Sequence, residues 1–487
     1  MKLSKIFENV PLQSGFEDCE IADIVYDSRK ACRGTLFVCL VGAKSDGHSF
    51  AQSAYENGCR AFLCERRPDL PGDAQVVLAK NTRQALAICS CNFFSHPADR
   101  LSVIGITGTK GKTSVAHIVQ RVLSNSGVRC GIVGTVGAGY DDVKLPTVNT
   151  TPESYELQKL FSSMLDGGCK AAAIEVSSLG LKSHRVDGIS FDYAVFTNLY
   201  PDHIGGDEHK SFEEYKNCKK LLFSRCKKAV MSLDDEYSRE FIACCECPVI
   251  TFGKNAEADY RLLEAKNYKN GHTLGVSFTF EHRGKTDEMM ISIPGKINAM
   301  NALVAVAIAD DMGISREETR KALAVTHAKG RGEVVETGTD YSIIIDYAHN
   351  GVSMNSILET VCEYDHIRII TVFGSVGDRA QLRRKELGEA SGRLADLSIV
   401  TIDDPGFEDP QKIIDEITAA VDSVGGKWVS FVNREEAIRY ALSIAEAGDI
   451  IVLAGKGHEE FMKVRGEKLP FSEMKVIREF LESNRQN

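Results

Sequence analysis

The sequence has no surplus of positive charge: 58 Lys and Arg stand against 68 Asp and Glu, for a net charge of −10. Holding a nucleic-acid backbone takes a basic face. Nucleic acid is therefore not expected as a partner, although local basic pockets for small anions remain open. The sequence also lacks any run of about 18 apolar residues that reads as a membrane span. No N-terminal stretch reads as a signal peptide. Internal repeats and low-complexity tracts are missing too. Cysteine is plentiful, at 15 residues, but lacks metal-ligand spacing. Cys89 and Cys91 are too close for a usual ligand pair, and Cys244-Cys245 with Cys247 has no second pair. Others, such as Cys39 and Cys64, sit in apolar stretches, where a thiol packs as a small hydrophobe. Free thiols without an export signal predict a soluble cytoplasmic protein.

What is present is an alternation of short apolar runs and amphipathic stretches. At roughly 150 residues per domain the length predicts about three domains. The expected divisions are 1–99, 100–329 and 330–487. In the first, Thr35–Val41 and Ala61–Cys64 read as strands, with helices at Phe50–Asn57 and Thr82–Phe94. Ser95–Arg100 reads as a linker. In the second, Leu101–Ile106, Cys130–Val133, Ala171–Glu175 and Tyr193–Thr197 read as buried strands. Helices are expected at Thr113–Ser126 and Pro152–Leu165. In the third, strands at Ile343–Asp346, Ile369–Phe373, Leu397–Thr401 and Asp449–Ala454 alternate with helices at Ser353–Cys362, Arg379–Leu394, Gln411–Val421 and Arg434–Ala445. Such alternation predicts an α/β protein with mainly parallel sheets, the last part Rossmann-like.

The segment Thr107-Gly108-Thr109-Lys110-Gly111-Lys112-Thr113 follows a strand and opens a helix. That context marks a phosphate-binding loop. Glycines let backbone N–H groups converge on phosphate oxygens, and the helix N-terminus adds partial positive charge. Lys112 is expected to meet the β- and γ-phosphates of ATP, and Thr113 to ligate Mg²⁺ through its hydroxyl. A tight strand-to-helix turn without ligand is the competing account. The loop alone does not name the reaction, because kinases, GTPases and motors share it.

Further motifs follow the loop in order: Asn149-Thr150-Thr151-Pro152-Glu153, Glu175-Val176-Ser177-Ser178, and Asn198 with Asp202-His203. Then come Gly295, Asn298 and Asn301, Gly330-Arg331, Asp346-Tyr347-Ala348-His349, Gly377-Asp378-Arg379 and Gly455-Lys456-Gly457-His458-Glu459. Together they resemble the Mur ligase family, over nearly the whole chain. Within it they are most similar to members that add the third residue of the peptidoglycan stem peptide. Asp27-Ser28-Arg29 and the segment from Gly42 to His48 resemble that group's uridine-binding domain.

The resemblance implies an ATP-dependent amide ligase with ATP and Mg²⁺ as cofactors. A carboxylate is phosphorylated by ATP, and an amino group then attacks the acyl phosphate. Two anions meet in that reaction, so cations must offset their repulsion. The implied catalytic set is Lys112, Glu175, His203 and Lys219. Thr113 and Glu175 hold one Mg²⁺; Glu175, His203 and a carbamylated Lys219 hold a second. Gly108, Thr109, Lys110, Gly111, Lys112, Thr113, Asn301, Arg331 and Asp346 are implied for ATP. Ser28, the 43–45 loop, Asn149, Thr150, Thr151, Ser177, Ser183 and Arg185 are implied for the UDP-sugar substrate. Arg379, Asp403, Asp404, Gly406, Gly455 and Glu459 are implied for the amino acid. Ordinary helix lysine, capping carboxylate and turn chemistry are the bland accounts of these residues. The implied partners are small molecules, a UDP-muramoyl dipeptide and a diamino acid, and the expected state is a monomer.

Leu179 stands where the family usually has His, Ser183 where glutamine is common, and the stretch 202–209 is longer than usual. In members that add meso-diaminopimelate, an arginine of the sequence Asp-Asn-Pro-Arg holds the distal carboxylate. Here the segment is Asp403-Asp404-Pro405-Gly406. Two acids without that arginine predict a preference for a terminal ammonium, as in L-lysine; meso-diaminopimelate is the alternative, with Arg379, near Arg383 and Arg384 in sequence, left to meet its carboxylate. A paralogous carboxylate substrate, or a phosphate-loop ATPase switch without ligase activity, are the other readings. The switch predicts ATP turnover with no amino acid and leaves Gly455–Glu459 unexplained.

Overall fold

Continuous apolar runs become strands buried on both faces, the signature of parallel sheets covered by helices. The computed structural model describes every residue except 43, 44, 148, 203, 206, 207, 379, 380, 486 and 487. It divides into two compact units, Met1–Asp259 with Val304–Ile314, and Tyr260–Leu303 with Ser315–Asn487.

The first unit holds two sheets. A four-stranded parallel sheet orders β1 (Asp23–Val25), β2 (Thr35–Val38), β3 (Ala61–Cys64) and β4 (Gln75–Leu78) side by side. Strand β2 is shorter than the sequence predicts. The chain beyond it bends so that Gly47 N–H can donate to the Leu40 carbonyl at 2.8 Å. The helix Thr82–Phe93 starts where Asn81 accepts from the N–H groups of Arg83 and Gln84. At the predicted linker, Ser95 and His96 both have positive φ, and a 3₁₀ turn at Pro97–Arg100 follows.

The second sheet of this unit contains β5 (Ser102–Thr107), β6 (Cys130–Gly134), β7 (Gly137–Tyr140), β8 (Val143–Leu145), β9 (Ala171–Glu175), β10 (Phe191–Phe196), β11 (Cys226–Ser232) and β12 (Val249–Gly253). Their order is β12-β11-β10-β5-β9-β6-β7-β8. All pairs from β12 to β6 are parallel, while β7 and β8 add antiparallel ribbons. Strands β5 and β9 lie in the middle, so their C-terminal ends share one edge, where open α/β sheets bind ligands.

The second unit opens with an antiparallel meander, β13 (Tyr260–Asn270), β14 (Thr273–His282) and β15 (Lys285–Ile291). Its other sheet has β16 (Glu333–Val334), β17 (Ser342–Asp346), β18 (Ile369–Phe373), β19 (Leu397–Val400), β20 (Trp428–Ser430) and β21 (Ile450–Ala454). The order is β16-β17-β21-β18-β19-β20, parallel except at β16. A hairpin of β22 (Phe461–Val464) and β23 (Glu467–Pro470) precedes the last helix. The predicted helix Arg379–Leu394 spans Leu382–Leu394; Arg379 lies outside the described residues. Among the described residues, no helix is long and apolar enough to cross a membrane.

Candidate active site

Strand β5 ends at Thr107, and the chain turns into the helix Lys112–Asn125. Gly111, at φ +86°, takes the left-handed backbone that glycine tolerates. Gly108 is fixed by crowding: a Cβ there would lie 2.0 Å from Thr197 Oγ1. Asn198 braces the turn. Its carbonyl accepts from Thr109 N–H at 2.9 Å and its Oδ1 from Lys110 N–H at 2.8 Å. Those amides are occupied, whereas the helix's first-turn amides have no intrahelical acceptor and are the donors a helix N-terminus offers an anion.

Lys112 Nζ donates to the carbonyls of Gly108 at 2.9 Å and Thr109 at 3.1 Å. Lys219, on the helix Phe212–Lys220, donates to the same Gly108 carbonyl at 2.9 Å. It is 1% exposed, and its Nζ stands 4.5 Å from the centre of the Tyr215 ring. Burial, and then the charge of Lys112, holds the Lys219 amine well below the usual lysine range. Burial also lowers Lys112, with Glu175 opposing. Two lysines on one carbonyl make an electropositive corner suited to an anionic ligand.

Glu175 ends β9 and is buried. Its Oε2 accepts from Thr113 Oγ1 at 2.9 Å and Thr135 Oγ1 at 3.2 Å; its Oε1 accepts from Thr135 N–H at 2.8 Å. Gly134 makes room for it, since a Cβ there would lie 2.1 Å from Glu175 Oε1. The hydroxyl and carboxylate side by side are hard oxygen donors of the kind Mg²⁺ takes. His203 lies outside the described residues. Lys110 Nζ stands 3.9 Å from Asp202.

A cavity of about 200 Å³ is lined by Lys112 and Lys219 together with Asn149, Thr150, Thr151, Ser177 and Arg185. Thr151 Oγ1 donates to the Glu175 carbonyl at 2.8 Å, which ties the 149–151 segment to the end of β9. Arg185 is held by Glu153 at 2.9 Å and the Thr151 carbonyl at 2.9 Å. Asn149 also lines a larger cavity of about 610 Å³ that reaches Asp23–Asp27. Ser28, in the 3₁₀ turn capped by Asp27, sits beside that cavity rather than among its lining residues. Ser183 caps the helix Ser178–Lys182 and lines neither cavity. Of the 43–45 loop, residues 43 and 44 lie outside the described residues.

In the second unit, Gly330 packs on the Gly457–His458 turn: a Cβ on it would lie 2.3 Å from His458 N. Arg331 lies over the Tyr347 ring at 5.0 Å. Asp346 accepts from Gly332 N–H at 2.7 Å. Burial, opposed by Arg331, raises its carboxyl to about 6. Asn301 donates to Asn298 Oδ1 at 2.9 Å.

Asp403, Asp404, Gly406, Gly455 and Glu459 of the predicted amino-acid set gather at the C-terminal ends of β19 and β21, around a group to which the sequence reading gave no role. Lys456, fully buried, lies 3.1 Å from Asp403, 2.7 Å from Asp404 and 2.8 Å from Glu459. Burial alone would lower its pKa, but the three carboxylates outweigh that and raise it. Asp403 and Asp404, expected to meet a substrate ammonium, already pair with one that the chain itself supplies. Three carboxylates around one ammonium still leave a surplus of negative charge. Gly455 approaches closely; a Cβ there would lie 2.8 Å from Asp403 Oδ2. Arg434, also missed, braces the cluster by donating to the carbonyls of Ile402 at 3.1 Å and Ala454 at 2.8 Å and to Glu473 at 2.7 Å. Thr135 and Tyr215 were missed as well. Tyr215 stands one helical turn before Lys219, a spacing that could have exposed it.

Comparison with known proteins matches three stretches of this chain: "Mur ligase family, catalytic domain" at residues 20–93, "Mur ligase middle domain" at 106–309 and "Mur ligase, glutamate ligase domain" at 330–457. The UDP-N-acetylmuramoyl-L-alanyl-D-glutamate–2,6-diaminopimelate ligase of Caldanaerobacter subterraneus subsp. tengcongensis is 40% identical over 99% of both chains. The chain belongs to the Mur ligase family. It has the three-domain α/β architecture of Mur ligases, and it is an ATP-dependent enzyme that forms a C–N bond in peptidoglycan synthesis. The Bacillus licheniformis ligase of the same name is 36% identical, over 98% of this chain and 99% of its own. Among solved structures, a ligase of that name shares 26% identity and a TM-score of 0.73 over 100% of both chains. MurF from Acinetobacter baumannii shares the fold, at 18% identity and a TM-score of 0.63 over 98% of both chains.

Proposed function

We propose that this Mur ligase joins 2,6-diaminopimelate to UDP-N-acetylmuramoyl-L-alanyl-D-glutamate. The observation that carries this reading is the 40% identity over 99% of the chain to an enzyme of that name. It favours the diaminopimelate alternative over L-lysine. The ammonium that Lys456 already gives to Asp403, Asp404 and Glu459 also weakens the argument for lysine. The lysine reading keeps one observation on its side, that Gly406 brings no cation.

In this reading the glutamate carboxylate enters the cavity beside Lys112 and Lys219. Lys112 stabilises negative charge on the transferring phosphoryl group. Thr113 and Glu175 hold Mg²⁺, which when bound neutralises phosphate charge. The lowered pKa of Lys219 favours the neutral amine. That is the form that adds CO₂, releases a proton and becomes a carbamate with oxygen ligands for a second Mg²⁺. Asn149, Thr150, Thr151, Ser177 and Arg185 orient the sugar and peptide end, with Ser28 and Ser183 near its limits. Asn301, Arg331 and Asp346 serve the nucleotide. Asp403, Asp404, Gly455 and Glu459 serve the ammonium groups of the incoming amino acid. ATP and a nucleotide-linked substrate put the reaction in the cytoplasm.

The test is direct: incubate pure protein with ATP, Mg²⁺ and the UDP-muramoyl dipeptide, and follow phosphate release and tripeptide formation against a panel of amino acids. Diaminopimelate should give the highest kcat/KM. Turnover with L-lysine alone would reject this reading, and phosphate release with no amino acid would favour the ATPase switch.

A further inference from the structure

L-Lysine and 2,6-diaminopimelate both carry two amino groups and differ by one carboxylate. Asp403, Asp404 and Glu459 outnumber the Lys456 ammonium they surround, so the cluster keeps surplus negative charge that opposes the extra carboxylate. A chain that selects the diacid needs a cation at the rim of the cluster. Position 406 cannot supply one. Gly406 has φ +61°, and a Cβ there would lie 2.4 Å from Asp378 Oδ2.

The backbone of Gly406 is nonetheless engaged. Its carbonyl accepts from Arg465 N–H at 2.8 Å, its N–H donates to the Lys463 carbonyl at 3.3 Å, and it bridges Val464. The β22–β23 hairpin is thereby fastened to the loop that follows β19. The turn of that hairpin is Arg465–Gly466, with φ +49° and +85°. Two-residue hairpin turns of this kind favour Asn, Asp or Gly at their first position. Another residue held there costs on the order of 1 kcal/mol. The β14–β15 hairpin has the same Arg-Gly turn at Arg283–Gly284, with φ +52° and +72°, so what sets Arg465 apart is its fastening to Gly406 beside the acidic cluster. Arg465 is exposed, and among the described residues no carboxylate pairs with its guanidinium. The nearby Lys463 is committed, with its Nζ 4.0 Å from Asp404 Oδ2.

We propose that Arg465 is a specificity residue, presenting its guanidinium from the turn anchored on Gly406 to the far carboxylate of a diamino diacid. A guanidinium suits this role because it can bind a carboxylate through two parallel hydrogen bonds. The inference rests on the diaminopimelate reading above.

The test uses the full chain at saturating ATP and UDP-muramoyl dipeptide, with KM and kcat measured separately for 2,6-diaminopimelate and L-lysine. Arg465→Gln should raise KM for diaminopimelate about tenfold or more, the scale of a lost charge-assisted pair. Its kcat and its KM for L-lysine should stay within about twofold. Arg465→Lys, which keeps the charge without the paired geometry, should fall between. Lys468→Gln, which removes a neighbouring hairpin charge, is the control. An equal rise for both amino acids, or no rise, overturns the role of Arg465 and leaves the diaminopimelate reading standing. A wild-type enzyme that takes L-lysine and refuses diaminopimelate overturns both.

Discussion

Two lysine sites in this protein are built on opposite electrostatic plans. At the phosphate loop, Lys112 and Lys219 crowd one carbonyl, and burial lowers both. Beyond β21, the buried Lys456 stands among three carboxylates that raise it. The first arrangement sets its lysines on a carbonyl with no carboxylate paired to them among the described residues; the second satisfies most of its charge internally. On the proposed reading a lysine of the first kind serves chemistry, while one of the second kind serves architecture.

Substitution can break that contrast. Lys112→Ala should lower kcat about a thousandfold or more, by analogy with the loss of a transition-state charge contact. Its melting temperature should stay near that of the wild type; near-normal turnover would refute the role. Lys456→Ala should do the reverse, leaving buried carboxylates unpaired and costing about 3–5 kcal/mol of stability by denaturant titration. Unchanged stability with lost turnover would move Lys456 into the catalytic class.

A pH experiment sharpens the comparison. The carboxyl of Asp346 is raised to about 6 in the fold, mainly by burial, against an ordinary value of 3.8. The folded state therefore binds more protons than the unfolded state between these values, and the group's contribution to stability is lost as pH rises through about 6. Asp346→Asn removes that loss. The stability of the variant relative to wild type should climb by roughly 2–3 kcal/mol between pH 4 and 7. A flat difference would show that Asp346 is not strained by its burial. The smallest effect is expected at Gly134. Gly134→Ala should displace Glu175 and cost about 1–3 kcal/mol, as overpacking does. Its activity should fall further than its stability if the carboxylate position matters, and an unchanged Mg²⁺ dependence would argue that it does not.

Buried parallel strands were legible because their apolar runs are unbroken. Ala61–Cys64, Ala171–Glu175 and Ile369–Phe373 form with the bounds their composition predicts. The β13–β15 meander was not, because Lys266-Asn267-Tyr268-Lys269-Asn270 carries too little alternation to read as a strand. The phosphate loop was legible as one contiguous motif. The cluster at Lys456 was not, since it joins positions 52 residues apart, and only the register of a parallel sheet brings such positions together. Gly406 was visible as a missing cation, but its fastening to Arg465 depends on a hairpin that short polar strands do not announce.

The Gly108 carbonyl acts as a hub shared by Lys112 and Lys219. An incoming phosphate that draws Lys112 away, or cancels its charge, lifts part of the repulsion that lowers Lys219. On the proposed reading, in which Lys219 is the carbamylated lysine, bound nucleotide would make its amine a poorer target for CO₂, so that modification before nucleotide binding is the favoured order.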